Sequence, residues 1–287
     1  MRFWNFTSFN VNFSGGFSGG SSAEIPSILW NVGTYKLRGS LATTSESSPT
    51  GMWFKPDGTK VFIVGQTQDR LKSWDLTTAW DISTATNFTN MASVLQNTSG
   101  VALTVPTGVA FSNDGTKAFV TDATSNALYR YSLTTAWDIT TLNVLADQVN
   151  TTIYTSNLAP QSIWVRPDGL LLTTANSSPT SQYRNWTTTV ANDITTLTAG
   201  DSASGGSIPV GAVWADNGNK FVYVLQATDE IFAQSYTSPY TFVGNVILGT
   251  RVMTPEDTSP QDVYMKNDGT SFYYLGSGTD TIYQFSL

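Results

Sequence analysis

The chain has no cysteine and no histidine. The first absence removes disulfides, thiolate metal sites and cysteine nucleophiles. The second removes the commonest general base and the commonest transition-metal ligand. Charge is scarce too, with 14 Lys and Arg against 21 Asp and Glu in 287 residues, a net −7. No basic run occurs, and phosphate binding depends on clustered Lys and Arg, so no nucleic-acid partner is expected. No stretch approaches the ~18–20 consecutive apolar residues of a membrane helix, so no membrane insertion is expected. Met1-Arg2-Phe3-Trp4-Asn5-Phe6 lacks the apolar core of a signal peptide, so no leader is expected. Nothing in the residues calls for a cofactor or a resident metal.

What fills the chain instead is Thr, Ser, Asn, Gly and aromatics, including 15 Phe, 12 Tyr and 9 Trp. Many β-branched and aromatic residues with few charges read as sheet joined by polar loops. A chain of this length buries roughly three quarters of its unfolded surface, so its core needs no covalent staple.

Internal repetition is the strongest signal. Ser48-Pro49-Thr50-Gly51-Met52-Trp53-Phe54-Lys55-Pro56-Asp57-Gly58-Thr59-Lys60-Val61-Phe62-Ile63-Val64 returns as Val105-Pro106-Thr107-Gly108 through Asn113-Asp114-Gly115-Thr116-Lys117. Looser copies run from Pro160 to Gly169, Pro209 to Gly218 and Pro260 to Gly269. The turn glycines 58, 115, 169, 218 and 269 stand 57, 54, 49 and 51 residues apart. A period near 50 suits one four-stranded propeller blade. Each copy places proline at a strand entrance, where its missing N–H does no harm. An apolar run and a Pro-Asp-Gly or Asn-Asp-Gly hairpin signal follow. The next strand is again apolar and so is expected to be buried on both faces. An alternating strand comes third, such as Leu71–Leu76, and is expected to be half-exposed. Then comes Thr77-Thr78-Ala79-Trp80-Asp81-Ile82, matched by Thr134–Ile139 and weakly by Val190–Ile194 and Pro239–Phe242. A fourth, outermost strand is expected around Ala92–Leu95.

The fifth unit stops at Leu287 after its third strand. Its missing pieces appear near the other end: Leu29-Trp30-Asn31-Val32 matches Ala79-Trp80-Asp81-Ile82, and 34–39 can supply the outer strand. The expected fold is therefore all-β, a five-bladed β-propeller over 29–287 whose last blade is completed by an N-terminal strand.

Residues 1–28 fall outside the repeat. Phe3, Trp4, Phe6, Phe9, Phe13 and Phe17 stand among Asn, Ser and paired glycines. Such a segment reads either as a flexible leader or as a docking arm, since exposed aromatics usually find a partner.

Among candidate sites, Asp57, Asp114, Asp168, Asp216 and Asp268 recur once per blade and read as turn residues. Asp81, Asp138 and Asp193 read as local caps. A ligand site has to break the repeat, so Asp69, Arg70, Asp229, Glu256 and Asp257, in irregular loops expected on one face, are the candidate ligand-binding residues. A carboxylate cluster there could hold Ca²⁺, although solvated loop tips are the plainer reading. The tryptophans read mainly as packing between blades, with Trp74 and Trp186 expected to be the exposed ones. No nucleophile elbow, phosphate loop or calcium loop is present, so no catalytic residue is assigned.

The phrases Pro56-Asp57-Gly58-Thr59-Lys60-Val61-Phe62 and Leu76-Thr77-Thr78-Ala79-Trp80-Asp81-Ile82-Ser83 resemble repeats of bacteriophage structural proteins. More loosely, they resemble YVTN- and NHL-like bacterial propellers. The resemblance covers 30–287 and implies a non-enzymatic virion component: a tail-fibre, tail-associated or capsid-surface protein. It would be held to other virion proteins through 1–28, in an assembly of several copies, and display the propeller to a host glycan or receptor. The alternatives are a carbohydrate-binding adhesin propeller and a lactonase- or glycosidase-like enzyme. No functional residues carry over from the resemblance.

Overall fold

A computed structural model describes residues 29–151, 159–177 and 181–287. The aromatic arm, with Phe3, Trp4, Phe6, Phe9, Phe13 and Phe17, lies outside the described residues. Everything described belongs to five four-stranded antiparallel sheets and their connections.

Strand β1 (Lys36–Ala42) belongs to the last blade. Blade one is β2 (Pro49–Phe54), β3 (Lys60–Gly65), β4 (Leu71–Leu76) and β5 (Ala85–Asn90). Blade two is β6 (Pro106–Phe111), β7 (Lys117–Asp122), β8 (Ala127–Ser132) and β9 (Gln148–Asn150). Blade three is β10 (Pro160–Val165), β11 (Leu171–Asn176), β12 (Gln182–Thr187) and β13 (Thr198–Ser204). Blade four is β14 (Pro209–Ala215), β15 (Lys220–Leu225), β16 (Glu230–Ser235) and β17 (Val246–Val252). Blade five is β18 (Pro260–Met265), β19 (Ser271–Gly276) and β20 (Thr281–Ser286), with β1 outermost. The innermost strands β2, β6, β10, β14 and β18 touch in that order and β18 returns to β2, which makes the sheets a closed ring.

Each inner strand opens on its proline and then shifts register by a bulge, between Pro49 and Gly51, Pro106 and Gly108, Pro160 and Ser162, Pro209 and Gly211, and Pro260 and Asp262. The bulge brings neighbouring blades into backbone contact. A Cβ on Gly51 would lie 2.8 Å from the Cα of Gly108, and one on Gly108 2.7 Å from the Cα of Ser162. Only glycine allows so close an approach. Threonines beside these glycines lock the contact: Thr50 Oγ1 donates to Pro106 O at 2.8 Å, and Thr107 Oγ1 to Pro160 O at 2.7 Å.

The hairpin turns follow the chemistry read from the sequence. Asp57, Asp114, Asp168 and Asp268 each accept the backbone N–H two residues on, at 2.9–3.0 Å. Asp216 departs, at φ 49 in a tight 3₁₀ turn, and pairs with Lys220 at 3.6 Å instead. The second signature has one job throughout. Trp30, Trp80, Trp137, Asn192 and Tyr240 all take positive φ, between 57 and 84, and sit over the turn glycine of their own blade. A Cβ on Gly58 would lie 2.3 Å from the Trp80 indole, and one on Gly115 2.3 Å from that of Trp137. The next residue caps the following turn, where Asp81 accepts Ser83 N and Asp138 accepts Thr140 N, each at 3.0 Å.

Closure occurs where the sequence places it. β1 pairs antiparallel with β20, from Lys36 opposite Ser286 to Ala42 opposite Thr281. Trp30 covers Gly269 as its counterparts do, and Asn31 caps the turn through Gly33 N at 3.2 Å. One detail is local to this blade: Tyr35 Oη donates to Gly269 O and accepts Trp30 N–H.

Three expectations need correction. The outer strand of blade one is Ala85–Asn90, not Ala92–Leu95. The capped turn delivers the chain straight into pairing with β4, and Met91 N already bonds Leu71 O at the end of that strand. Leu95 is instead buried in the connection. Trp74 and Trp186 are buried, Trp74 against Phe88 and Trp186 through a 3.0 Å bond from Nε1 to Thr174 Oγ1. Finally, β4 is not half-exposed. Lys72 is fully buried because its Nζ lies 2.6 Å from Glu46 Oε2, itself fully buried, and 2.7 Å from Ser45 O.

Candidate functional site

Antiparallel strands alternate their connections between two ends, which gives the ring two faces. The Pro-Asp-Gly hairpins and indole caps share one face. The β3–β4 type turns and the links between blades share the other, where all the acidic candidates lie.

On that second face one acidic side chain, Asp257, serves the backbone. Asp257 is buried, and its carboxylate accepts Ser259 N, Gly278 N, Thr279 N and Thr279 Oγ1 at 2.6–3.2 Å. Glu256 pairs with Arg251 at 3.1 Å. Asp229 lies in the same sector, where burial and the Asp257 charge push its carboxyl up. Asp69 and Arg70 lie in the sector of blade one. Burial, with Glu46 and Asp122 nearby, raises Asp69, while Arg70 reaches Met91 O at 3.4 Å. The candidates thus form two separate groups, one at blade one and one between blades four and five. Among the described residues, no three acidic side chains gather closely enough to hold a cation.

The principal cavity opens on the hairpin face, at the axis of the ring. It holds about 410 Å³ and draws lining residues from all five blades. The penultimate or last residue of each inner strand faces it: Trp53, Phe111, Trp164, Trp214 and Tyr264. Trp80 and Tyr240 close its wall. The rings brace one another. Trp53 meets Tyr264 edge-on at 5.6 Å, Trp80 stacks on Tyr264 at 6.2 Å, and Trp164 stacks on Tyr240 at 5.7 Å.

Polar groups stand around these rings. The Trp53 indole N–H is buried without a hydrogen-bond partner among the described residues, whereas Trp214 Nε1 donates to Thr173 Oγ1 at 2.9 Å. Burial pushes the Tyr264 hydroxyl up, so it stays protonated and can donate. Asn113, Asn217 and Asn267 provide amides at the rim, all three exposed. Rim charges cancel in place: Lys55 with Asp57, Arg166 with Asp168 and Lys266 with Asp268, each pair at 2.7 Å. Burial works against the ionised form of these aspartates, but the bonds from Lys55, Arg166, Lys266 and the turn N–H groups outweigh it and lower all three. Asp268 is the one carboxylate lining the funnel among the described residues. The site is therefore aromatic, hydrogen-bonding and electrically neutral.

Its lining was half visible in the sequence. Trp53, Trp164 and Trp214 recur at one repeat position and Tyr264 is their fifth-blade equivalent, a signal of one aromatic per blade aimed at the axis. Blade two has Ala110 there, which obscures the series.

No family model matches the chain, and no curated protein matches it. Several solved structures are similar in fold. A functionally unknown protein from Desulfotomaculum acetoxidans is 14% identical, with a TM-score of 0.45; the match covers 79% of this chain and 62% of that one. A protein described as a putative 6-phosphogluconolactonase from Bacteroides uniformis is 17% identical, with 79% of this chain and 64% of that one covered and a TM-score of 0.46. The Cps50 (Swd1) β-propeller domain of Myceliophteria thermophila is 11% identical, with 84% and 71% covered and a TM-score of 0.46. The chain thus spans less than two thirds of the length of the first two. Likeness at this level carries no argument about activity, and the five-bladed propeller stands on the molecule's own sheets.

Proposed function

We propose that this propeller is a non-enzymatic recognition module whose axial funnel takes a neutral carbohydrate unit. The observation that carries the reading is the aromatic funnel itself, with amides at its rim and its charges already paired. Sugar rings present C–H faces to aromatics and hydroxyls to amides, and they bring no charge for the site to neutralise. Glycoside hydrolysis needs two carboxylates flanking one bond. Asp268, the one carboxylate lining the funnel among the described residues, is held in an ion pair, which favours binding over that chemistry. A glycan array tests the reading. The protein is expected to retain at least one neutral glycan, and exposed Asn113→Ala to weaken it about 2–10-fold through one lost hydrogen bond. An array with no neutral glycan bound, or retention unchanged in Asn113→Ala, contradicts it.

A second reading concerns where the module works. The repeat phrases around Pro56–Phe62 and Leu76–Ser83 favour display on a virion, with residues 1–28 as the anchor to neighbouring proteins and the propeller facing a host. Removing 1–28 is expected to abolish incorporation into particles while the ring stays folded; unchanged incorporation contradicts it.

A further inference from the structure

The repeat is broken in a second place, on the third strands of blades three and four. Cross-strand registers align these strands position by position. At one position four blades carry an aromatic, Trp74, Tyr131, Trp186 and Phe285, while blade four carries Gln234. At another, four blades carry Leu71, Leu128, Ile231 and Ile282, while blade three carries Tyr183. An aromatic has become a smaller amide in one blade, and an aliphatic has gained a ring and a hydroxyl in the blade beside it.

Between them is a cavity of about 240 Å³, lined by Tyr183, Phe221, Tyr223, Gln234, Tyr236 and Phe242. Exposed Ser204 and Asn245 stand at its mouth. It opens between blades three and four, and it shares no lining residue with the axial funnel.

The polar atoms are organised. Gln234 Nε2 donates to Tyr223 Oη at 2.9 Å, and Tyr236 Oη donates to Gln234 Oε1 at 2.7 Å. Tyr223 therefore keeps its own proton to give. Tyr183 is buried, and its hydroxyl has no hydrogen-bond partner among the described residues. An unpaired buried hydroxyl is costly unless something else satisfies it. Burial raises the Tyr183 and Tyr236 hydroxyls and brings Tyr223 to about 12, so all three remain protonated. Among the described residues, no Lys, Arg, Asp or Glu lines the cavity. A phosphate, carboxylate or ammonium would enter without a counter-charge, at a heavy desolvation cost. The volume is below the roughly 300–1,000 Å³ of sites for drug-sized ligands.

We infer that this cavity is a second binding site, for a single neutral hydroxylated ring, a monosaccharide unit with an apolar face against Phe221 and a hydroxyl on Tyr183. It stands independently of the axial funnel.

The test is titration of the full chain with glucose, galactose, mannose, N-acetylglucosamine and rhamnose, with binding read by NMR shift changes of the Tyr223 ring, which lines this cavity and not the funnel. At least one sugar is expected to bind saturably. Tyr183→Phe keeps the ring and removes only the unpaired hydroxyl, so it is expected to fold and to weaken binding about 2–10-fold. Gln234→Phe, which restores the residue type of blade five, is expected to fill the cavity and abolish binding. Asn113→Ala, at the funnel rim, should leave this binding unchanged. No saturable sugar, or binding that survives both Tyr183→Phe and Gln234→Phe, overturns the inference. Binding lost only in Asn113→Ala belongs to the funnel; it overturns this site and supports the other.

Discussion

Blades five, one and two differ from blades three and four on both faces of the ring. On the hairpin face the first three seat an indole over the turn glycine, with Trp30, Trp80 and Trp137, while the other two use Asn192 and Tyr240. On the opposite face the first three bury a carboxylate that ties the link between blades to a neighbouring turn. Glu46 accepts Thr67 N at 2.9 Å, Asp122 accepts Val105 N at 2.9 Å and Ser125 N at 2.8 Å, and Asp257 accepts Thr279 N at 2.7 Å. Glu46 and Asp257 stand in the links, against second strands that end on Gly65 and Gly276, whereas Asp122 ends its own second strand. Among the described residues, blades three and four end that strand on Asn176 and Leu225 with no such carboxylate. Two unrelated devices are thus relaxed in the same two blades, and the side cavity lies between those blades. The repeat is kept where the ring is clamped, and it gives way where a site is opened.

The largest test of that contrast is the buried pair. Glu46→Ala strands the Lys72 ammonium in the interior and is expected to cost about 3–5 kcal/mol of stability. Asn176→Ala, at the place Asp122 holds in blade two, removes a side chain whose Oδ1 is already unpaired and is expected to cost about 1 kcal/mol or less. Equal costs in urea unfolding would erase the distinction. Next comes the hairpin glycine. Gly115→Ala meets both positive φ and the Trp137 indole and should cost about 2–5 kcal/mol. Gly169→Ala meets the shorter Asn192, its side-chain amide and, at 2.9 Å, its backbone N, and should cost less because an amide is displaced more easily than an indole.

A pH effect is expected from the axis. Burial raises Asp262 to about 8, against the bonds it accepts from Met52 N and Val263 N. The folded state therefore holds a proton that the unfolded state releases near the ordinary value of 3.8. The corresponding stability is fully present below about pH 4 and is lost as pH rises to about 8. Melting temperatures from pH 4 to 9 should fall across that window, and Asp262→Ser should flatten the profile. The smallest expected effect is a gain: Asn192→Trp, which restores the indole, should add no more than about 1 kcal/mol.

Much of this was legible in one sequence. The spaced glycines gave the blade count, and Trp30-Asn31 marked the closure because the same pair of roles recurs as Trp80-Asp81. Strand burial was harder to read. Lys72 alternates with apolar neighbours as a solvent-facing residue does, and only the fold brings Glu46, 26 residues away in sequence, to neutralise it. The site was sought in acidic loops because charge is easy to notice in a sparsely charged chain. Of those carboxylates, Asp257 accepts backbone N–H groups and Glu256 pairs with Arg251. The funnel arises from one aromatic per blade, which reads as packing until the five strand ends converge. Gln234 and Tyr183 were visible as breaks in the third-strand pattern, but the cavity they form depends on two blades facing each other.

Native-state hydrogen exchange, resolved by blade, tests the central claim most directly. Strands of blades five, one and two should show the higher opening free energies, and a bound monosaccharide should add protection mainly to β12, β15 and β16. Uniform protection around the ring, or sugar-induced slowing confined to the clamped blades, would contradict the account.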